Sequence, residues 1–220
     1  MEDIEMINLW KSYDKKLEES LNLNRKNAED ITKMKVSSLL GSMKPLKIFT
    51  LLTGILWVGF GSVIIANLFL FAFDKVSLFF LISAAMQLVL TAIAIGIYIY
   101  QLVLIHQVDI NKPVVTTQHT LAGLKSSTLW VARILFLQLP LWTTFYLSES
   151  MFKNGNILFY FIQGGVTLSF IFLAFWLYFN IKMENKHKKW FRLLFEGKEW
   201  NPVMKAMDLL SQAEEYKTAL

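Results

Sequence analysis

Four long apolar runs divide this chain and set its expected fold class. The first extends from about Ile48 to Phe73. Its 26 residues carry no charge, and 16 of them are Leu, Ile, Val or Phe. At roughly −0.3 to −0.6 kcal/mol each near a bilayer centre, these side chains favour insertion by about 5–10 kcal/mol as an upper bound. The second run, Val76 to Ile105, holds 30 uncharged residues, where about 20 suffice to span. It therefore tilts or emerges near Tyr98 and Tyr100. Only Asp74 and Lys75 separate the two runs, so these helices are antiparallel neighbours. A further charge-free, aromatic-rich run covers Ile157 to Ile181.

Between them lies a less apolar stretch, about Leu129 to Leu147, which contains Arg133 and is interrupted by Gln138 and Pro140. An Arg at a helix centre costs roughly 2.5–3.5 kcal/mol, against about 3–6 kcal/mol from the Leu, Ile, Val and Phe side chains of this stretch. Arg133 is one turn in, so its head can snorkel to the interface. Counting this stretch as a span gives an even number of crossings and puts both charged tails on one side. The expected architecture is all-α: an integral membrane protein with four transmembrane helices (about 48–73, 76–105, 129–147 and 157–181) in residues 47–181. Cytoplasmic amphipathic helices flank it, in residues 1–46 and 182–220.

Periodicity in the tails points to further helices. Over residues 6–40, Trp10, Tyr13, Leu17, Leu21, Ala28 and Ile31 recur every three or four positions and form one apolar stripe. Asn24 interrupts it near a position that sets pairing in coiled coils. The stripe must cover something: the chain's own C-terminal tail, a second copy, a cytosolic protein or the membrane surface. The run KMENKHKKWFRLLFEGKEW alternates bases with Trp190, Phe191, Leu193, Leu194 and Phe195, which suits a headgroup region. Gly197 is expected to end that helix. Asn201-Pro202 then starts a last helix to about Tyr216. Its face of Val203, Ala206, Met207, Leu210 and Ala213 is the expected partner of the N-terminal stripe. In the central loop Pro113 marks a turn. Val115, Gln118, Leu121 and Leu124 predict a short amphipathic helix leading into the third span.

Charge supports the same layout. Of the 39 charged residues, 31 lie in 1–47 and 182–220, and eight in 48–181. Lys33, Lys35, Lys44 and Lys47 precede the first span, Lys112 and Lys125 lie in the central loop, and five bases from Lys182 to Arg192 follow the last. The other two loops carry Lys75 and Lys153. The basic side is cytoplasmic, so both termini are expected inside the plasma (inner) membrane. The first residues, MEDIEMINLWKSYDKK, lack a signal-peptide pattern, so the first span is expected to drive insertion.

Candidate chemistry is sparse. The chain has no Cys, which removes disulfides, thiolate metal sites and a cysteine nucleophile. His106, His119 and His187 lie on separate segments without metal-ligand spacing, and His106 near Asp109 reads as a helix-end pair. Phosphate-cradling, dinucleotide and serine-hydrolase motifs do not occur, so neither enzyme activity nor a cofactor is expected. Arg133, with Gln138 and Asp109, forms the candidate intramembrane polar site. Trp10, Tyr13, Leu17, Leu21 and Ile31 form the candidate interaction stripe. The spans hold no Asp or Glu, which counts against a coupled transporter. Gly59-Phe60-Gly61 and Gly164-Gly165 offer close helix approach. Expected partners are the lipid bilayer and either a homo-oligomer or a cytoplasmic protein. Nucleic acid is not expected, because the basic patch adjoins a membrane exit. The expected role is non-enzymatic interaction or regulation through the cytoplasmic helices. The alternative is a small-solute channel or transporter lined by Arg133 and the span glutamines.

Two stretches carry a resemblance: LWKSYDKKLEESLNLN ahead of the basic run, and VDINKPVVTTQHTLAGLKSSTLWVARILFLQLPLW with its Pro-Val-Val turn, Arg133 and Leu-Pro-Leu-Trp. The chain resembles small bacterial multi-pass inner-membrane proteins of unknown function, of the kind common in Bacteroidota. That resemblance implies a bacterial inner-membrane address and no mechanism.

Overall fold

A computed structural model describes residues 2–107, 114–153, 156–195, 197 and 201–218, and among these it is all-helical. The helices are α1 (Glu2–Phe71), α2 (Leu78–Gln107), α3 (Val114–Phe136), α4 (Leu141–Thr144), α5 (Glu149–Lys153), α6 (Ile157–Asn180), α7 (Lys189–Phe195) and α8 (Asn201–Thr218). Three of them, α1, α2 and α6, are long and apolar enough to cross a membrane.

The largest departure from expectation is α1. The tail helix and the first span form one uninterrupted helix, roughly 105 Å long at 1.5 Å per residue. Pro45 lies within it. A proline there lacks the N–H that would bond back to Gly41 and ordinarily breaks a helix. Here Leu40, Met43 and Lys47, on either side of Pro45, are buried, and the helix continues through it. Proline itself stays on the exposed side.

Helices α1 and α2 pack closely after the short 3-10 turn at Phe73–Lys75. Glycines permit that approach. A Cβ at Gly61 would lie 2.6 Å from Leu88 Cδ2, and one at Gly54 would lie 3.2 Å from Ile95 Cγ1. By contrast Gly59, Gly96, Gly164 and Gly165 face open space, so only part of the small-residue pattern serves helix contact.

The third apolar stretch is not one helix. Its first half and the expected surface helix of the central loop fuse into α3. The helical path then tightens through Leu137–Pro140, where i→i+3 bonds replace the regular ladder, as in Leu139 N–H to Phe136 O (3.2 Å) and Leu141 N–H to Gln138 O (3.0 Å). The cause is Pro140, which cannot donate to Phe136. The path resumes in α4. Throughout, it stays beside α2 in an antiparallel sense: Leu121 packs with Leu104 and Ile105, Val131 with Tyr98, Gln138 bonds Thr91, Thr144 bonds Ser83, and Ser77 donates to Leu147 O. Helix α5 lies near the start of α2, where Phe152 stacks on Phe79.

The tails gather at the opposite end. Val36, Leu40 and Met43 of α1 form a core with the end of α2, the start of α3, and Val203 and Ala206 of α8. A second core joins Leu129 and Ala132 of α3, Leu177 and Ile181, and Phe191 and Phe195 of α7. Helix α8 therefore docks on α1, but not on the expected stripe. Its contacts are with Val36, Leu39 and Leu40, whereas Trp10, Tyr13, Leu17, Leu21 and Ile31 are 68, 65, 61, 55 and 49% exposed. The reason is the tether. Helix α8 starts beside α7 at the base of the bundle, with Met204 against the second core, and at 18 residues it is only about 27 Å long. It meets the apolar residues nearest the bundle first.

Candidate functional site

Polar groups inside the apolar segments mostly bond one another. Gln138 Nε2 donates to Thr91 Oγ1 (3.1 Å), joining the α3–α4 turn to α2. Gln163 Nε2 on α6 donates to Thr143 O (2.7 Å), and the Thr143 and Thr167 hydroxyls meet at 3.2 Å. In lipid each unsatisfied polar group costs several kcal/mol, so such pairs hold helices in register.

Arg133 belongs to a different constellation from the expected one. Its Nε and Nη2 both donate to the carbonyl of Ile181, at 3.0 and 2.7 Å, and the guanidinium lies 5.4 Å from the Trp130 ring centroid. Ile181 caps the C-terminus of α6, where carbonyls lack intrahelical donors and the helix dipole is negative. Asn185 Nδ2 adds a bond to Asn180 O (2.7 Å) at the same end. Arg133 is thus a latch between α3 and α6. Gln138 does not join it, since its amide donates to Thr91 on α2. The third expected member, Asp109, lies outside the described residues.

Lys47 was legible only as one more base in a positive run, yet it is fully buried. Its Nζ donates to Gln101 Oε1 (2.5 Å) and sits 4.6 Å from the Tyr98 ring centroid. Tyr98 and Gln101 are three residues apart on α2 and present one face to α1. An ammonium buried at a helix interface costs several kcal/mol unless its bonds are met. Gln101 Nε2 is buried with no hydrogen-bond partner among the described residues. The available signal was spacing: Lys47 follows Met43 by four and Leu40 by seven, on the packed face.

Basic side chains crowd the tail end. The Lys125 amine is held below its ordinary value, first by desolvation and then by the charge of Lys186. This region joins the base of α3 to the segment after α6.

The N-terminal half of α1 is the most open feature. Every side chain from Met6 to Ala28 is exposed, and burial begins at Glu29. At roughly 100° per residue the stripe lies about 115° around α1 from the packed face of Val36, Leu40, Met43 and Lys47. The molecule is thus an all-helical protein with membrane-spanning capacity that projects an apolar-striped stalk from one end. No protein-family model, no curated protein and no solved structure matches this chain.

Proposed function

We propose that this chain is a non-enzymatic multi-pass protein of the bacterial inner membrane that acts by presenting the α1 stalk to a binding partner, in an interaction or regulatory role. The observation that carries this reading is the exposed stripe on a helix continuous with a span. Most of a helix's stability in a protein comes from packing of its apolar face, and this face is exposed from Met6 to Ala28. Burying a large apolar side chain contributes about 1.5–3 kcal/mol, so a partner on the stripe would stabilise the stalk substantially.

Four crossings with both tails cytoplasmic fit the contacts. The α3–α4 path accompanies α2 from Leu104 to Ser77. The bases Lys44, Lys125, Lys182, Lys186 and Lys188 belong to the tail end, while Asp74, Lys75, Glu149 and Lys153 belong to the other. That asymmetry matches the positive-inside rule.

The test is deletion of residues 2–27, which ends before the first half-buried residue of α1. The shortened chain is expected to insert and to unfold at the parent temperature, while losing a co-purifying protein or its oligomeric state. An unchanged size and an unchanged set of bound proteins would overturn the reading.

A further inference from the structure

We infer that the occupant of the α1 stalk, on the reading that it is a binding surface, is a second copy of this chain, paired in a parallel coiled coil. Trp10, Leu17, Asn24 and Ile31 recur at intervals of seven, the repeat that keeps one seam facing a partner helix. In the same register Tyr13 and Met34 hold the outer d positions, Ser20 and Asn27 the two between them, and Leu21 flanks the seam at e; Trp10, Tyr13, Leu17, Leu21, Ile31 and Met34 are exposed large apolar side chains. The membrane sets the direction. Because α1 is a single helix from stalk through span, two copies inserted alike carry their stalks side by side, parallel and at equal height. Asn24 then meets the same residue of the second copy, where one amide donates and the other accepts. A slipped register would leave that amide opposite Leu17 or Ile31. A single polar residue at such a position sets register and oligomeric state. Charge is compatible: with Trp10, Leu17, Asn24 and Ile31 as the a positions, Asp30 falls across from Lys35 of the other copy, and no like charges face each other.

Among the described residues nothing covers this surface. Helices α2 and α8 pack on another face of α1, and the heptad register that starts at Trp10 continues into the span through Ile48, Leu52 and Ile55, which are 46, 57 and 47% exposed. From Trp10 to Ser62 this line is roughly 80 Å long, and a contact strip about 10 Å wide would bury about 1,600 Å² in total, the size of a standard stable interface. The stalk alone, from Trp10 to Ile31, would bury less than half of that, so the span portion contributes the rest.

The chain has no native Cys, so single-cysteine variants of the full chain report contacts cleanly. Leu17→Cys and Asn24→Cys lie on the seam, and Glu19→Cys and Lys26→Cys lie on the far face. After mild oxidation in native membranes, the seam variants are expected to give a band at twice the chain mass, at least about tenfold stronger than the far-face variants, since a disulfide requires Cα atoms within roughly 7 Å. Equal yields on both faces, or no dimer band at the seam, would overturn self-pairing. A photo-crosslinker at Leu17 separates the two ways of failing. Capture of a different protein would end self-pairing and leave the stalk a binding surface, whereas capture of lipid alone or of nothing would end both readings.

Discussion

Replacing Arg133 with Gln removes the fork that ties α3 to the end of α6. Two N–H groups converge on the Ile181 carbonyl at 3.0 and 2.7 Å. A hydrogen bond from a charged donor contributes about 1.5–3 kcal/mol, and because both share one acceptor they are best taken together as about 2 kcal/mol. The favourable position at a helix C-terminus adds about 0.3–1 kcal/mol. Desolvation of the guanidinium offsets part of this, so Arg133→Gln is expected to cost about 2 kcal/mol. For a chain of this size that is a fall of roughly 4–8 °C in Tm, read by thermal unfolding of the purified protein in nanodiscs. Arg133→Lys keeps the charge but loses the fork and is expected to fall between parent and Gln. Asn185→Ala removes a neutral bond to the same helix end and should cost about 1 kcal/mol. A Tm for Arg133→Gln within about 1 °C of the parent would refute the latch. Loss of solute flux in that variant at unchanged stability would point to the channel reading instead.

Two further outcomes follow from packing and charge. Gly61→Val forces a branched side chain onto Leu88, where even a Cβ would lie 2.6 Å from Cδ2, and is expected to cost about 1–3 kcal/mol. Gly59→Val faces open space and should change stability by less than about 0.5 kcal/mol; equal costs at the two positions would contradict the α1–α2 interface. Lys125 titrates below its unfolded value of 10.5 in the fold, so the native state disfavours the charged form. The penalty is fully present below the folded pKa and is relieved as pH rises from there to 10.5. Lys125→Met should therefore raise Tm at pH 7 relative to the parent, with a gain that shrinks at alkaline pH; a gain that grows with pH would reverse the sign of the coupling.

What the sequence made legible was whatever depends on long, uniform stretches. The last apolar run, 157–181, corresponds to α6 at Ile157–Asn180, and the terminal helix begins at Asn201 with Pro202 in its first turn. Continuity of α1 was hidden because Pro45 and the bases around it look like a boundary, while what keeps the helix intact is burial of Leu40, Met43 and Lys47 against other elements. The docking of α8 was half legible: its apolar face showed in the spacing, but its target depends on where α7 leaves it. Arg133 was conspicuous as a charge, yet its partner is a backbone carbonyl 48 residues away, which no side-chain pattern announces.

The stretch from Leu129 to Leu147 shows why residue-by-residue hydropathy is a poor guide to a segment built from a broken helix. Summed singly, Arg133, Gln138, Pro140, Thr143 and Thr144 oppose insertion. In the fold each has an answer. The Ile181 carbonyl takes the guanidinium, Thr91 takes the Gln138 amide, and Ser83 meets Thr144. The Pro140 carbonyl accepts from both Thr143 N–H and Thr143 Oγ1. The cost of each polar group is set by whether a neighbouring helix satisfies it, so under the four-crossing proposal this segment would insert as a partner of α2 and α6 rather than alone. On that proposal the neighbours would carry the third crossing, and Thr91, whose own sequence context is a plain apolar run, matters to the segment's packing as much as Gln138 does.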